Sequence, residues 1–204
     1  MKRIVLRCAT QKLFNEVSDS SKAWQRKLST AVTYCYEDNQ YKFWTYTNQN
    51  DLLCYLNDNY IIGFNNILFD SSLILGEKYH MNDDGSVTDG KNAWKNYDLY
   101  IEIKKRILRC CNKTIKETLD IMKKSFSLHN RGVYTLENIV IATVGERLKN
   151  KSDPDTVELY KQKKIIELLQ RNLQETRITK HLYDFIKKYK YVINGNYDII
   201  KFKE

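Results

Sequence analysis

The chain has 204 residues, of which 42% are hydrophobic and 29% are charged. This composition indicates a folded protein and excludes a disordered chain, and no segment approaches the roughly 20 apolar residues that a membrane-spanning helix needs. The formal net charge is +9, from 34 Lys and Arg against 25 Asp and Glu. Such a basic balance favours a polyanionic partner such as nucleic acid and no membrane association.

The cysteines and histidines argue against a structural metal or a disulfide framework. The 5 Cys are scattered and form no Cys-x-x-Cys pair, and the 3 His lie in unrelated places. We therefore expect free thiols in a reducing, cytoplasmic compartment. The bias towards Lys, Asn, Ile and Tyr, with 1 Pro, is typical of an AT-rich genome such as that of a virus or phage, so host cytoplasm or a virion is the expected location.

The first part of the chain alternates between strand and helix patterns. Short runs of β-branched and aromatic residues predict strands at residues 4–9, 28–36, 41–46 and 60–64, the second and third forming a hairpin. Apolar spacing predicts one short helix at residues 51–57, which Asn50 could cap, and another that carries Leu73, Ile74 and Leu75. Residues 81–95 are polar, contain Asp-Asp-Gly and Asp-Gly, and predict a loop.

From Tyr97 onwards the periodicity becomes helical. The spacing predicts helices at residues 98–109, 114–124 and 136–144, with Asp98 as an N-cap. Pro154 suits the first turn of a further helix capped by Ser152 or Asp153, and apolar spacing continues from Val157 through a last helix that includes Ile186. Asn194 and Gly195 lie between apolar runs and predict a closing hairpin.

These elements predict an α/β fold: a mixed central sheet flanked by helices, and a helical C-terminal half that ends in a short β-hairpin. There is no linker rich in Pro, Gly or Ser and no repeat, so we expect one domain over residues 1–204.

Four segments carry short motifs in a fixed order. Residues 6–11 read LRCATQ, residues 62–70 read IGFNNILFD, residues 136–145 read LENIVIATVG, and residues 171–183 read RNLQETRITKHLY. Together they resemble the DEDD 3′–5′ exonuclease superfamily, in particular its predicted helicase-associated branch. The resemblance covers most of the chain and implies an RNase H-like fold. It also implies phosphodiester hydrolysis by two Mg²⁺ or Mn²⁺ ions held by four carboxylates.

The departures from this family are concentrated at its active site. Arg7 and Ala9 occupy the places of the two motif-one carboxylates, Arg171 that of the motif-three Tyr, and Glu175 that of the motif-three Asp. Only Asp70 is unchanged. Strand alternation places Arg7 and Ala9 on one face, where both would point at Asp70 and Glu175. We therefore hypothesise that Arg7 replaces the metal ions as the charge partner of the two acids, so that no metal or other cofactor is needed.

Nucleic-acid contacts are expected at two places. Asn65 and Asn66 lie beside the former position of the scissile phosphate, and a basic cluster contains Lys104, Lys105, Arg106 and Arg109. The alternative is that these charges form an ordinary solvated helix face without a ligand. The tryptophans could stack on bases if they were exposed. These are Trp24, Trp44 and Trp94.

The leading interpretation is a catalytically inactive exonuclease-like domain that binds DNA or RNA, or acts as a protein scaffold, in a replication, repair or viral assembly. One alternative is an active metal-dependent exonuclease, using Mg²⁺ or Mn²⁺, that adds acids such as Glu16 or Glu77 to Asp70 and Glu175. A second alternative is a purely structural protein without affinity for nucleic acid.

Overall fold

A seven-stranded mixed sheet lies at the centre of the computed structural model, which describes residues 1–19, 22–124, 133–147 and 155–202. Its strands are β1 (Arg3–Thr10), β2 (Leu28–Cys35), β3 (Gln40–Thr45), β4 (Tyr60–Gly63), β5 (His80–Met81), β6 (Val87–Thr88) and β7 (Ala93–Asp98). The strand order is β3-β2-β1-β4-β7-β6-β5. The pairs β1–β4 and β4–β7 are parallel, and the remaining pairs are antiparallel.

Helices cover both faces of the sheet, and a two-stranded hairpin closes the described chain. The helices are α1 (Gln49–Leu56), α2 (Ser72–Leu75), α3 (Leu99–Ile107), α4 (Ile115–Lys124), α5 (Leu136–Val144), α6 (Thr156–Lys161) and α7 (Ile165–Tyr189). The hairpin consists of β8 (Tyr191–Ile193) and β9 (Ile199–Lys201). The α/β class expected from the sequence is confirmed. Among the described residues, no helix combines the length and the apolar character needed to cross a membrane.

Strand alternation divides the core between the two faces of the sheet. In β1, Ile4, Leu6 and Cys8 pack on one side with residues of α1, α2 and α4. Val5 points to the other side and joins residues of α3, α5, α7 and the hairpin. The long helix α7 therefore lies across the face of β1 that carries the odd-numbered residues, which include Arg7.

The segment at residues 81–95 is not the loop that its polar sequence predicts. It contains the end of β5, all of β6 and the start of β7, and β7 pairs with β4 in parallel, with Ile61 opposite Asn96. Trp94 anchors the strand in the core at 2% exposure, whereas Lys95 is exposed. The prediction was wrong because backbone pairing with β4 on one side and β6 on the other determines this strand. The pattern of apolar residues does not reveal such pairing.

The last two helices are divided by a tight turn. The apolar spacing that begins at Val157 is interrupted after α6, where Lys163 adopts a left-handed conformation with φ of 59°. The following α7 is one helix of 25 residues. Asp155 caps α6 by accepting a hydrogen bond from the Val157 N–H at 2.9 Å. The predicted start at Pro154, with its cap at residue 152 or 153, lies outside the described residues.

Asp98 joins the end of β7 to two neighbouring segments. Its carboxylate accepts hydrogen bonds from the N–H groups of Tyr100 and Ile101, which confirms it as the N-cap of α3. It also accepts from the N–H groups of Asn65 and Ile67, at 2.9 and 3.0 Å, in the turn after β4. Burial raises the pKa of Asp98 to about 6, against the effect of these four donors. The carboxylate is thus ionised at neutral pH and fixes the turn that leads to Asp70.

We expect Asp98→Ala to lower the free energy of unfolding by at least about 2 kcal/mol, because it removes a helix cap and leaves two further buried N–H donors unpaired. Asp98→Asn keeps one acceptor oxygen and is expected to lose less. Urea unfolding measures both, with Asp120→Ala on the exposed face of α4 as the control. Equal losses for Asp98→Ala and Asp120→Ala would contradict this role.

Candidate functional site

Three charged residues from the motif segments, Arg7, Asp70 and Glu175, meet at one edge of the sheet. Arg7 lies towards the end of β1, and Asp70 lies in a π-helical turn, Asn66–Ser71, that follows β4. Because β1 and β4 are parallel neighbours, their carboxyl ends reach the same edge. Glu175 comes from the middle of α7, which packs on β1 and β2.

The guanidinium of Arg7 is the centre of this site. Its Nη2 and Nε atoms lie 2.9 and 3.3 Å from Glu175 Oε2, and its Nη1 atom lies 3.5 Å from Asp70 Oδ2. Nη1 also donates to the main-chain carbonyl of Phe64 at 2.9 Å. The side chains of Asp70, Arg7 and Glu175 are 0%, 16% and 23% exposed. The structure thus brings together the three charged residues that the sequence analysis placed at one site.

Burial and pairing act in opposite directions on these charges. Burial raises the pKa of Asp70 to about 7, and the nearby charge of Arg7 opposes the shift. Burial lowers the pKa of Arg7, but the charges of Asp70 and Glu175 outweigh it and leave the pKa above its ordinary value. Asp70 Oδ1 also accepts a hydrogen bond from the Cys8 N–H at 3.0 Å. Arg7 is therefore a permanent cation held between two acids.

Ala9, the second substituted position of motif one, has an apolar environment. It is 4% exposed and packs with Leu159 of α6 and Leu168 of α7. A carboxylate placed there would be desolvated among aliphatic side chains, at a cost of several kcal/mol. The packing around Ala9 therefore favours alanine over an acidic residue.

The donor set at this site does not fit a divalent ion. Mg²⁺ and Mn²⁺ prefer several oxygen ligands, and here two carboxylates share a guanidinium. Nowhere among the described residues do three or more His, Cys, Asp or Glu side chains form a group that could hold a metal ion. Of the additional acids considered from the sequence, Glu16 is ion-paired with Lys161, and Glu77 is exposed in the short turn after α2.

Two further arginines lie close to the site. Arg171 lies on α7, one turn before Glu175, and is half-buried. Arg26 is 8% exposed and lies over the rings of Phe14 and Phe69, with 3.9 and 5.1 Å from its Cζ atom to the ring centroids. Sequence reasoning missed Arg26, because no motif contains it and only the fold brings it to the residue before Asp70.

The two asparagines after β4 have different environments. Asn66 is fully buried, and its Nδ2 donates to Asn96 Oδ1 at 2.8 Å, so its side chain is inside the protein. Asn65 adopts a left-handed conformation, φ 61°, which asparagine tolerates well, and lines a largely apolar cavity of about 680 Å³. The walls of this cavity include Phe64, Leu68, Tyr100, Met122 and Tyr134. Of the two residues, only Asn65 borders a space that a ligand could enter.

The predicted basic cluster on α3 is divided among different contacts. Lys104 Nζ lies 3.9 Å from the centroid of the Tyr134 ring, and Lys105 Nζ lies 3.5 Å from Glu102 Oε1. Arg109 is exposed just after the helix. These side chains therefore do not form one uniform basic face.

The three tryptophans do not form an exposed stacking surface. Trp44 and Trp94 are 8% and 2% exposed and belong to the core, and Trp24 is half-buried.

At pH 8, where Asp70 is ionised, we expect Arg7→Met to lower the free energy of unfolding by about 3 kcal/mol, because it leaves a buried carboxylate without its cation. Arg7→Met combined with Asp70→Asn is expected to lose less than the sum of the two single changes. Urea unfolding measures this cycle. Arg3→Met is the matched control, since Arg3 lies on the same strand and pairs with Glu37 at the surface. A loss for Arg7→Met no larger than for Arg3→Met contradicts the assignment.

The pKa of Asp70 predicts a pH-dependent stability. Between its ordinary pKa of 3.8 and about 7, the folded protein keeps a proton on Asp70 that the unfolded chain has released. The contribution of Asp70 to the free energy of unfolding should therefore fall as the pH rises through this window, by up to ~1.4 kcal/mol per pH unit. Urea unfolding of wild type and Asp70→Asn from pH 4.5 to 8 isolates it. A difference between the two proteins that is independent of pH would exclude the shift.

Comparison with models of known protein families finds none that matches the chain, and comparison with curated proteins finds no match either. The family resemblance therefore depends on the four motifs, and we infer the function from the geometry around Arg7.

Proposed function

We propose that the protein is a catalytically inactive, exonuclease-like domain that binds nucleic acid as part of a replication, repair or viral assembly. One observation carries the inactivity: the guanidinium of Arg7 lies between Asp70 and Glu175, where the resemblance expects divalent ions. Phosphodiester hydrolysis of the two-metal type needs ions that stabilise both the attacking and the leaving oxygen. A guanidinium cannot activate water as a metal does, and it is not deprotonated at neutral pH.

The accessibility of the acids supports the same conclusion. Asp70 is fully buried and engaged by Cys8 and Arg7, so a substrate cannot reach its carboxylate without displacing the ion pair. Glu175 remains partly exposed. Both of its contacts with Arg7 involve the same oxygen, Oε2, so only its Oε1 atom does not contact Arg7. A single carboxylate oxygen that does not contact Arg7 is too few protein ligands for the two ions of two-metal hydrolysis.

Charge and shape support a nucleic-acid partner. The chain carries a net charge of +9, and phosphate contacts from Lys and Arg supply most sequence-independent binding energy. The cavity beside Asn65 has aromatic walls and a volume of about 680 Å³, so it can take an unstacked base. The five cysteines are all free, which supports our placement of the protein in a cytoplasmic, reducing compartment.

The test combines cleavage and binding on the same labelled single-stranded DNA and RNA oligonucleotides. We expect fluorescence anisotropy to show binding at low salt that weakens with added salt, with a slope of about −0.7 per phosphate contact in a plot of log K against log salt. With Mg²⁺ or Mn²⁺ present, no nucleotide should be released, and Asp70→Asn should behave as wild type does. Metal-dependent release of nucleotides that the Asp70→Asn change abolishes would contradict the proposal. Absence of binding even at low salt would favour a scaffold role.

A change at Arg7 tests why activity is absent. Arg7→Asp adds a third carboxylate beside Asp70 and Glu175, so we expect it to bind Mn²⁺ more tightly than wild type in a calorimetric titration. Arg7→Asn is the matched control, because it removes the cation without adding a charged ligand. Ala9 is left unchanged, since its environment of leucine side chains would penalise an acid. Equal Mn²⁺ affinity in all three proteins would show that Arg7 is not the element that excludes the metal.

A further inference from the structure

A second cavity lies at the C-terminal end of α3, away from Asp70 and Glu175. Its volume is about 620 Å³, and it is formed by the residues that follow α3 together with strand β9 of the closing hairpin. Four of its lining side chains are cationic, and among the described residues no carboxylate lines it. The cations are Arg106, Arg109, Lys113 and Lys201.

The positive charge of this cavity is only partly balanced. Lys113 is paired with Glu117 at 3.3 Å, and Arg106 Nη2 lies 3.9 Å from Glu102 Oε2, a long contact. Within the part of the chain that the structure describes, neither Arg109 nor Lys201 forms an ion pair. Cations gathered in a concave surface create a positive potential that attracts a counter-ion.

The helix end does not account for these cations. Lysines and arginines often stabilise the last carbonyl groups of a helix. Here the carbonyls of Lys104, Lys105 and Arg106 already accept hydrogen bonds from the main-chain N–H groups of residues 108, 110 and 109, at 2.9, 3.0 and 3.2 Å. These carbonyls therefore do not require the side chains of Arg109 and Lys201, which remain available for another acceptor.

The part of the protein that the structure describes does not satisfy every donor of Arg106. Its Nε atom is buried, and it has no hydrogen-bond partner in the structure. A buried donor without an acceptor destabilises a protein, and such groups call for an ion or a water molecule as partner. The Arg106 side chain as a whole is 21% exposed and lines the cavity, so a ligand oxygen can reach the side chain from there.

We propose that this cavity binds a phosphate group through Arg106, Arg109 and Lys201. Phosphate presents several acceptor oxygens, which match the forked donors of guanidinium groups, and the volume is sufficient for a phosphate with its sugar. This inference rests on the nucleic-acid-binding function proposed above. The phosphate that the cavity binds is then one of the nucleic-acid backbone. The cavity brings together Arg109, which we expected from the sequence to contact nucleic acid, and Lys201 of the C-terminal hairpin.

Two exposed cysteines provide an internal comparison in the wild-type protein. Cys111 lines the cavity, whereas Cys54 lies on α1 and is not among the lining residues. We would measure the rate of alkylation of each thiol by mass spectrometry, without ligand and with a single-stranded oligonucleotide, a mononucleotide or inorganic phosphate. We expect the oligonucleotide to slow alkylation of Cys111 several-fold and to leave Cys54 unchanged.

Charge-matched variants test the cations directly. Arg109→Gln combined with Lys201→Gln removes two exposed side chains of the cavity, and Lys78→Gln combined with Lys91→Gln removes two exposed lysines elsewhere. We expect the cavity variant to reduce the salt-dependence slope of oligonucleotide binding by about 0.7, the value for the one single-strand phosphate contact that the cavity would make. The control variant should leave the slope unchanged.

The outcomes separate this inference from the proposed function. If the oligonucleotide binds wild type, yet Cys111 is not protected and both double variants bind alike, the cavity assignment is overturned while the proposed function stands. If the oligonucleotide does not bind at all, the proposed function fails. Protection of Cys111 by inorganic phosphate or the mononucleotide would then support a phosphate site for a free ligand, and absence of protection would overturn it.

Discussion

The ion pair between Arg7 and its two acids holds together segments that are distant in the chain. One guanidinium links β1 to the end of β4 through the Phe64 carbonyl, to the π-helical turn through Asp70, and to α7 through Glu175. A fully buried carboxylate needs a cation, hydrogen bonds or both to compensate for its lost hydration. This side chain therefore helps to fix both the position of α7 against the sheet and the path of the chain after β4.

The same ion pair bears on the function that we propose. An arginine that satisfies Asp70 and Glu175 leaves no set of free carboxylates for metal-dependent chemistry, so activity gives way to binding as the role we propose. Two cavities then become relevant, and α3 borders both. Tyr100 in its first turn lines the aromatic cavity, and Arg106 in its last turn lines the cationic one. A base and a phosphate are the ligand groups that these two environments suit.

Much of the architecture could be predicted because it follows from local periodicity. The helix predicted at residues 136–144 has the bounds of α5, Asp98 caps α3, and the alternation in β1 assigns its side chains correctly to two faces. The prediction failed at β7 because this strand is mostly polar. Trp94 is its one large apolar residue that is fully buried. The prediction also missed Arg26, whose contacts with Phe14 and Phe69 depend on folding rather than on spacing.

By itself, the sequence determined the α/β class and the residues present in the four motif segments, since helical and strand periods and motif order are local properties of the chain. Only the tertiary structure decided that Arg7 reaches both Asp70 and Glu175, that Ala9 packs against leucines, and that Lys201 joins Arg106 in a cavity. These contacts join residues far apart in the chain. Strand pairing and helix packing create them, and no local pattern encodes the resulting distances or burial.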